Sequence, residues 1–151
     1  MMGKRMPHRE EIQRVLQEKV ARYLSVQQAI RAYQLVYEVQ RRQLEELIVT
    51  KEALEGLKKK PPRRFEGFAS LGSGTYIYVS GDMGDKVLVN VGANIGVYMS
   101  IDDALMILGD REISLRTNLE NTAKTLRELM SIAMKLEQEI ATLQEYLSRT
   151  K

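Results

Sequence analysis

The sequence predicts an α+β chain: a long antiparallel two-helix coiled coil carries two β-hairpins between its helices, and the hairpins assemble between subunits into a β-barrel or stacked sheets. Three observations lead there. Apolar residues recur every seven residues near both ends of the 151-residue chain. A middle segment rich in Gly, Val, Tyr, Ser and Asn separates these stretches, running from Gly67 to Ser100 after the Pro61-Pro62 break. The strand-like runs of that middle are apolar on both faces, and the chain has no further sequence to cover them. The expected organisation is a helix over 1–60, two hairpins forming an oligomerisation module over 61–99, and a second helix over 100–151.

In the first arm one seam position runs Leu16, Tyr23, Ile30, Tyr37, Leu44, Lys51. Its partner position runs Ile12, Lys19, Val26, Tyr33, Gln40, Leu47, Leu54. Neither Pro nor Gly interrupts residues 9–55, and Pro61-Pro62 ends the helix by removing donors and restricting the preceding residue. The last arm is more regular. From Ile101 to Leu147 the stripe alternates spacings of four and three, broken in polarity only at Glu112 and Thr122. Ser100 followed by Asp103 has the form of a capping box, and Asp102 adds favourable negative charge to the first turn.

A stripe two residues wide is a coiled-coil seam rather than the broader face of a globular core. Arms of about 48 residues would each extend about 70 Å at 1.5 Å per residue. Their polar interruptions set a register, because one antiparallel alignment brings Gln40 level with Thr122 and Lys51 level with Glu112. A parallel dimer of separate helices is the competing arrangement.

Four strands are expected at Glu66–Leu71, Thr75–Ser80, Lys86–Val91 and Ile95–Met99. They are joined by Gly72-Ser73-Gly74, Gly81–Asp85 and Gly92-Ala93-Asn94, where Gly or Asn supplies positive φ. An isolated hairpin is marginal in water, and flat apolar edges invite pairing with other chains. Tyr76, Ile77, Tyr78, Val79, Val87, Leu88, Val89, Val91 and Val97 are therefore the expected subunit-assembly residues.

Composition argues against catalysis. The absence of Cys excludes disulfides, thiolate nucleophiles and Cys-ligated metals, and one His, expected in a loose N-terminal segment, leaves no His-based triad. No enzyme activity, cofactor or metal site is expected. Gly72-Ser73-Gly74 lacks the Gly-Lys-Ser/Thr of a phosphate loop and reads as a hairpin turn. No uncharged run reaches the ~20 residues of a membrane span, and the opening MMGKRMPHREE lacks a secretory apolar run, so a cytoplasmic chain is expected.

Charge is uneven along the chain. Residues 1–64 hold 15 Lys/Arg against 8 Asp/Glu, while 65–99 and 100–151 are each net −2. Mutual attraction of the two halves explains this more simply than a polyanion partner. The densest cluster, Lys58–Arg64, has no aromatic platform beside it, so nucleic-acid binding is not expected. Antiparallel pairing would set the two chain ends side by side, far from the hairpins. There Ile12, Val15, Leu16, Leu143, Tyr146 and Leu147 would form an apolar patch suited to exposed hydrophobic segments of other proteins.

The order of long heptad helix, two hairpins and long heptad helix resembles alpha-type prefoldin (GimC) subunits of the archaeal kind. Leu71-Gly72-Ser73-Gly74 resembles the family's LGxG turn, Lys86–Gly92 its KVxVxxG strand and Ile101-Asp102-Asp103-Ala104 its helix start. Ser70 stands where the family often has Pro, and Asn94 where it commonly has Gly. The resemblance implies an ATP-independent holding chaperone built from two alpha and four beta subunits. Its hairpins would build a double barrel, its tips would hold non-native client proteins, and a group II chaperonin would receive them. A structural homo-oligomer or filament built through the hairpins is the competing expectation.

Overall fold

The structure, a computed structural model, describes residues 5–59 and 64–149, with side chains from His8 onward. Helix α1 covers Arg5–Lys59 and α2 covers Ile101–Arg149. Between them lie β1 (Arg64–Gly72), β2 (Thr75–Asp82), β3 (Lys86–Asn90) and β4 (Gly96–Ser100). The strands form two separate two-stranded antiparallel sheets, β1–β2 and β3–β4. These are the elements and the order read from the sequence, with strand ends moved by one or two residues. The expected helix stop at Pro61-Pro62 and most of the Lys58–Arg64 cluster lie outside the described residues. His8, expected in a loose segment, is helical.

The chain divides into two compact units, Met1–Arg41 with Thr117–Lys151, and Arg42–Arg116. In the first, α1 and α2 run antiparallel: Lys19 Nζ meets Glu139 Oε2 at 2.6 Å, Tyr23 Oη donates to Glu137 Oε1 at 2.6 Å, and Thr122 Oγ1 donates to Gln40 Oε1 at 2.8 Å. Ile30, Ala133 and Leu136 are buried in this seam. Thr122 is buried too, and it also bonds the Asn118 carbonyl at 2.9 Å, so its hydroxyl is satisfied where burial would otherwise be costly. Every seam position read from the sequence is at least partly covered except Tyr33, which is 39% exposed.

In the second unit Lys51 Nζ meets Glu112 Oε2 at 3.0 Å, as the register requires. Leu54, Ala104 and Leu108 form the buried core of this unit. Val87, Val89 and Met99 pack against it. This corrects the expectation that one chain leaves both faces of the second hairpin bare: the helix pair covers the inner one. The Ser100 hydroxyl accepts from the Asp103 amide at 3.1 Å and caps α2. Lys58, in the last turn of α1, meets Asp102, in the first turn of α2, at 2.6 Å. Each charge there also complements the dipole of its own helix.

The turns hold more left-handed backbone than Gly and Asn alone supply. Ser73 and Ala93 both have φ near +50°, beside Gly72, Gly74, Gly92 and Asn94. Asn90 Oδ1 accepts from Gly92 N at 2.9 Å, and Ile95 N donates to Gly92 O at 2.9 Å, which fixes the second turn around Ala93. Val91, expected in a strand, belongs to this turn and donates to Ile95 O at 2.9 Å. Arg111 Nη2 reaches the Asn90 carbonyl at 2.6 Å and ties the turn to α2. Among the described side chains Met83, Met106, Met130 and Met134 face solvent, and only Met99 packs on a core.

Two outcomes are expected. Left-handed backbone costs a Cβ-bearing residue about 1–2 kcal/mol, so Ala93→Gly should raise stability by about 0.5–1 kcal/mol after the entropic cost of Gly, read from urea midpoints. Lys51 and Arg116 hold the Glu112 carboxyl below 4.5, and Lys19 does the same for Glu139. Carboxyls depressed in this way stabilise the fold above their ordinary value, and that contribution disappears as pH falls through the depressed one. The melting temperature should therefore fall on acidification below pH 4.5. Glu112→Gln with Glu139→Gln should flatten that limb, and an unchanged limb would refute the assignment.

Candidate functional site

Among the described residues, two of the surfaces expected from the sequence combine exposure with apolar chemistry, and each can be built from its strand or helix register. In the first hairpin, pairing places Phe68 opposite Tyr78 and Ser70 opposite Tyr76 on one face. The Phe68 and Tyr78 rings meet edge-to-face with centroids 5.8 Å apart. Glu66, on the same face, accepts from the Tyr78 hydroxyl and raises its pKa. Phe68, Tyr76 and Tyr78 nonetheless remain exposed. On the opposite face Ile77 is exposed, Val79 is half-buried, and Phe65 lies over Gly81.

In the second hairpin the faces differ in kind. Val87, Val89 and Met99 turn to the core, whereas Leu88 pairs with Tyr98 on the outer face, where Tyr98 is 72% exposed. Gly96 makes room for this pair, because a Cβ there would lie 2.9 Å from Leu88 Cδ1. Val91 and Val97 are also exposed. Of the expected assembly residues, Tyr76, Ile77, Tyr78, Leu88, Val91 and Val97 are open, and Val79, Val87 and Val89 are half-buried. The sequence reading passed over Phe68 and Tyr98. Cross-strand register was the signal for both, since each stands directly opposite a residue already singled out.

The second surface is at the helix ends of the first unit. Val15 and Leu143 line one groove, and the His8 ring meets Tyr146 edge-on at 6.5 Å, so these parts of the two helices come together. Tyr146 is exposed; Ile12, Val15, Leu16, Leu143 and Leu147 are half-buried. Pairing of α1 with α2 thus covers part of each candidate side chain and leaves part open.

A third apolar area was not read from the sequence. Leu35, Val36 and Val39 stand open on α1, Leu35 at 71%. Their signal was a charge deficit: residues 23–40 carry only Arg31 and Glu38. Among the described residues no helix is long and apolar enough to cross a membrane.

Residues 12–146 match the family model described as prefoldin subunit. That match spans both helices and both hairpins, and the chain belongs to the prefoldin family. More particularly it is similar to the alpha type: it is 25% identical over 133 residues to a prefoldin subunit alpha from Archaeoglobus fulgidus, a match covering 86% of this chain and 94% of that one. A filamentous prefoldin from Methanocaldococcus jannaschii, solved by cryo-electron microscopy, shares the fold with a TM-score of 0.61 at 23% identity, covering 83% of this chain and 98% of that chain.

Proposed function

We propose that the chain is the alpha-type subunit of an ATP-independent holding chaperone that captures non-native proteins at its helix ends and passes them to a group II chaperonin. Membership of the prefoldin family across residues 12–146 carries the reading. The proposed assembly has two alpha and four beta-type subunits in the cytoplasm, without enzymatic activity.

Physical chemistry supports both parts. Four strands in two-stranded sheets leave every strand at an edge, and Phe68, Tyr76, Tyr78, Leu88 and Tyr98 remain open beside them. Aromatic rings on strand faces are suited to burial between subunits. Capture at Ile12, Val15, Leu16, Leu143, Tyr146 and Leu147 would be weak at any single tip. A few hundred Å² of apolar surface is worth several kcal/mol at about 25 cal/mol per Å² before ordering costs. Several tips acting together turn weak contacts into sufficient avidity while still releasing the client without nucleotide.

Two experiments test this. Mass measurement of the protein alone and with a beta-type subunit should give a defined hexamer only in the mixture, and Phe68→Ser with Tyr98→Ser should prevent it. An open-ended polymer of the chain alone would instead favour a filament, the state of the structural relative from Methanocaldococcus jannaschii. Removing residues 1–16 and 143–151 should leave the assembly intact and abolish its suppression of aggregation of a denatured protein. Undiminished protection would exclude capture at the helix ends.

A further inference from the structure

Beside the seam of the first unit, α1 and α2 leave an open groove of about 440 Å³. Val15 and Leu143 give it apolar walls, and Lys19, Lys135 and Glu139 give it charge. That charge is unbalanced. Glu139 is the one carboxylate among the lining residues, and Lys19 already engages it at 2.6 Å. Arg22 and Lys135 add their fields at the same carboxyl. Both are exposed, and neither makes a salt bridge among the described residues. Three cations, Lys19 and Lys135 in the lining and Arg22 near Glu139, thus share the single carboxylate of the groove, which leaves an excess of positive charge there.

The geometry points to a specific occupant. We infer that the groove receives an extended segment of non-native polypeptide with apolar side chains flanked by carboxylates, the apolar groups against Val15 and Leu143 and the carboxylates against Arg22 and Lys135. This rests on the capture reading and states which client segments are held best. The groove has room for only a few side chains, whereas a stable contact with a second copy spreads over roughly 20–30 residues a side. No aromatic ring lines it, so it offers a nucleic acid no stacking platform. Apolar walls with nearby cations match an acidic, apolar peptide better than a basic one.

The test uses the full-length protein and two fluorescent peptides with one apolar core, flanked by Glu in one and Lys in the other. Anisotropy at low salt should show the Glu-flanked peptide binding about tenfold tighter, with the gap closing several-fold at about 0.3 M salt. Arg22→Gln with Lys135→Gln should cut the preference to less than about twofold, leaving helix content and assembly mass unchanged. Lys124→Gln, removing an exposed cation that neither lines the groove nor acts on Glu139, should leave the preference intact. Equal binding of the two peptides, or a preference that survives the double substitution, overturns the inference while leaving client capture in place. Tighter binding to phosphatidylglycerol vesicles than to the Glu-flanked peptide, through the same two cations, overturns it in favour of a lipid surface. Failure to bind either peptide also overturns it; if aggregation of a denatured protein also proceeds unsuppressed, the capture reading falls with it.

Discussion

A seam two side chains wide tolerates a polar group only where the facing helix answers it. Each polar interruption in one helix therefore needs a partner at one level of the other, and shifting the pair strands both. Gln40 with Thr122 in one unit and Lys51 with Glu112 in the other meet this condition. Apolar rungs alone would not do so, because Leu facing Leu is nearly as good one heptad away. Lys19 with Glu139 and Tyr23 with Glu137 add further rungs in the first unit. Which side chains lie beside one another, the groove between Val15 and Leu143 included, follows from this alignment.

The hairpins obey the opposite rule. Their inner and outer faces are assigned by alternation, yet only one face of the second hairpin has a core to meet. Leu54, Ala104 and Leu108 take Val87, Val89 and Met99, and this leaves Leu88 and Tyr98 outward. Arg111 on the Asn90 carbonyl and Lys58 on Asp102 hold the connections to this core in place. The second hairpin is thus fastened on one side and open on the other. That is the arrangement an oligomerising element needs, since rigid presentation lowers the ordering cost of association.

Much of this was legible because heptads and turn residues act locally. The stripe from Ile101 to Leu147, the cap at Ser100 and the four strands need only near neighbours to specify them. Two features that depend on tertiary contact were not legible: coverage of Val87 and Val89 by the helices, and left-handed Ala93, held by the bonds of Asn90 and Ile95. Tyr33 kept the heptad pattern but not the burial. Among candidate site residues the sequence singled out strand runs rather than cross-strand partners, so it reached Tyr78 and Leu88 but not Phe68 and Tyr98. It marked the helix ends as a candidate from their apolar residues, but the cations near the groove are ordinary surface charges until the fold brings them to one place.

The sulfur atoms carry a further consequence. The chain has no thiol, and four of its described methionines, Met83, Met106, Met130 and Met134, point into water. Conversion of a thioether to a sulfoxide harms a protein chiefly by forcing a polar oxygen into a packed interior. Among the described sulfurs, those most open to peroxide sit where an added oxygen is simply hydrated, while Met99 is partly covered beside its core. Among the described methionines, oxidation would thus fall first on exposed positions outside the packed seam, and the pairing of the helices would outlast it.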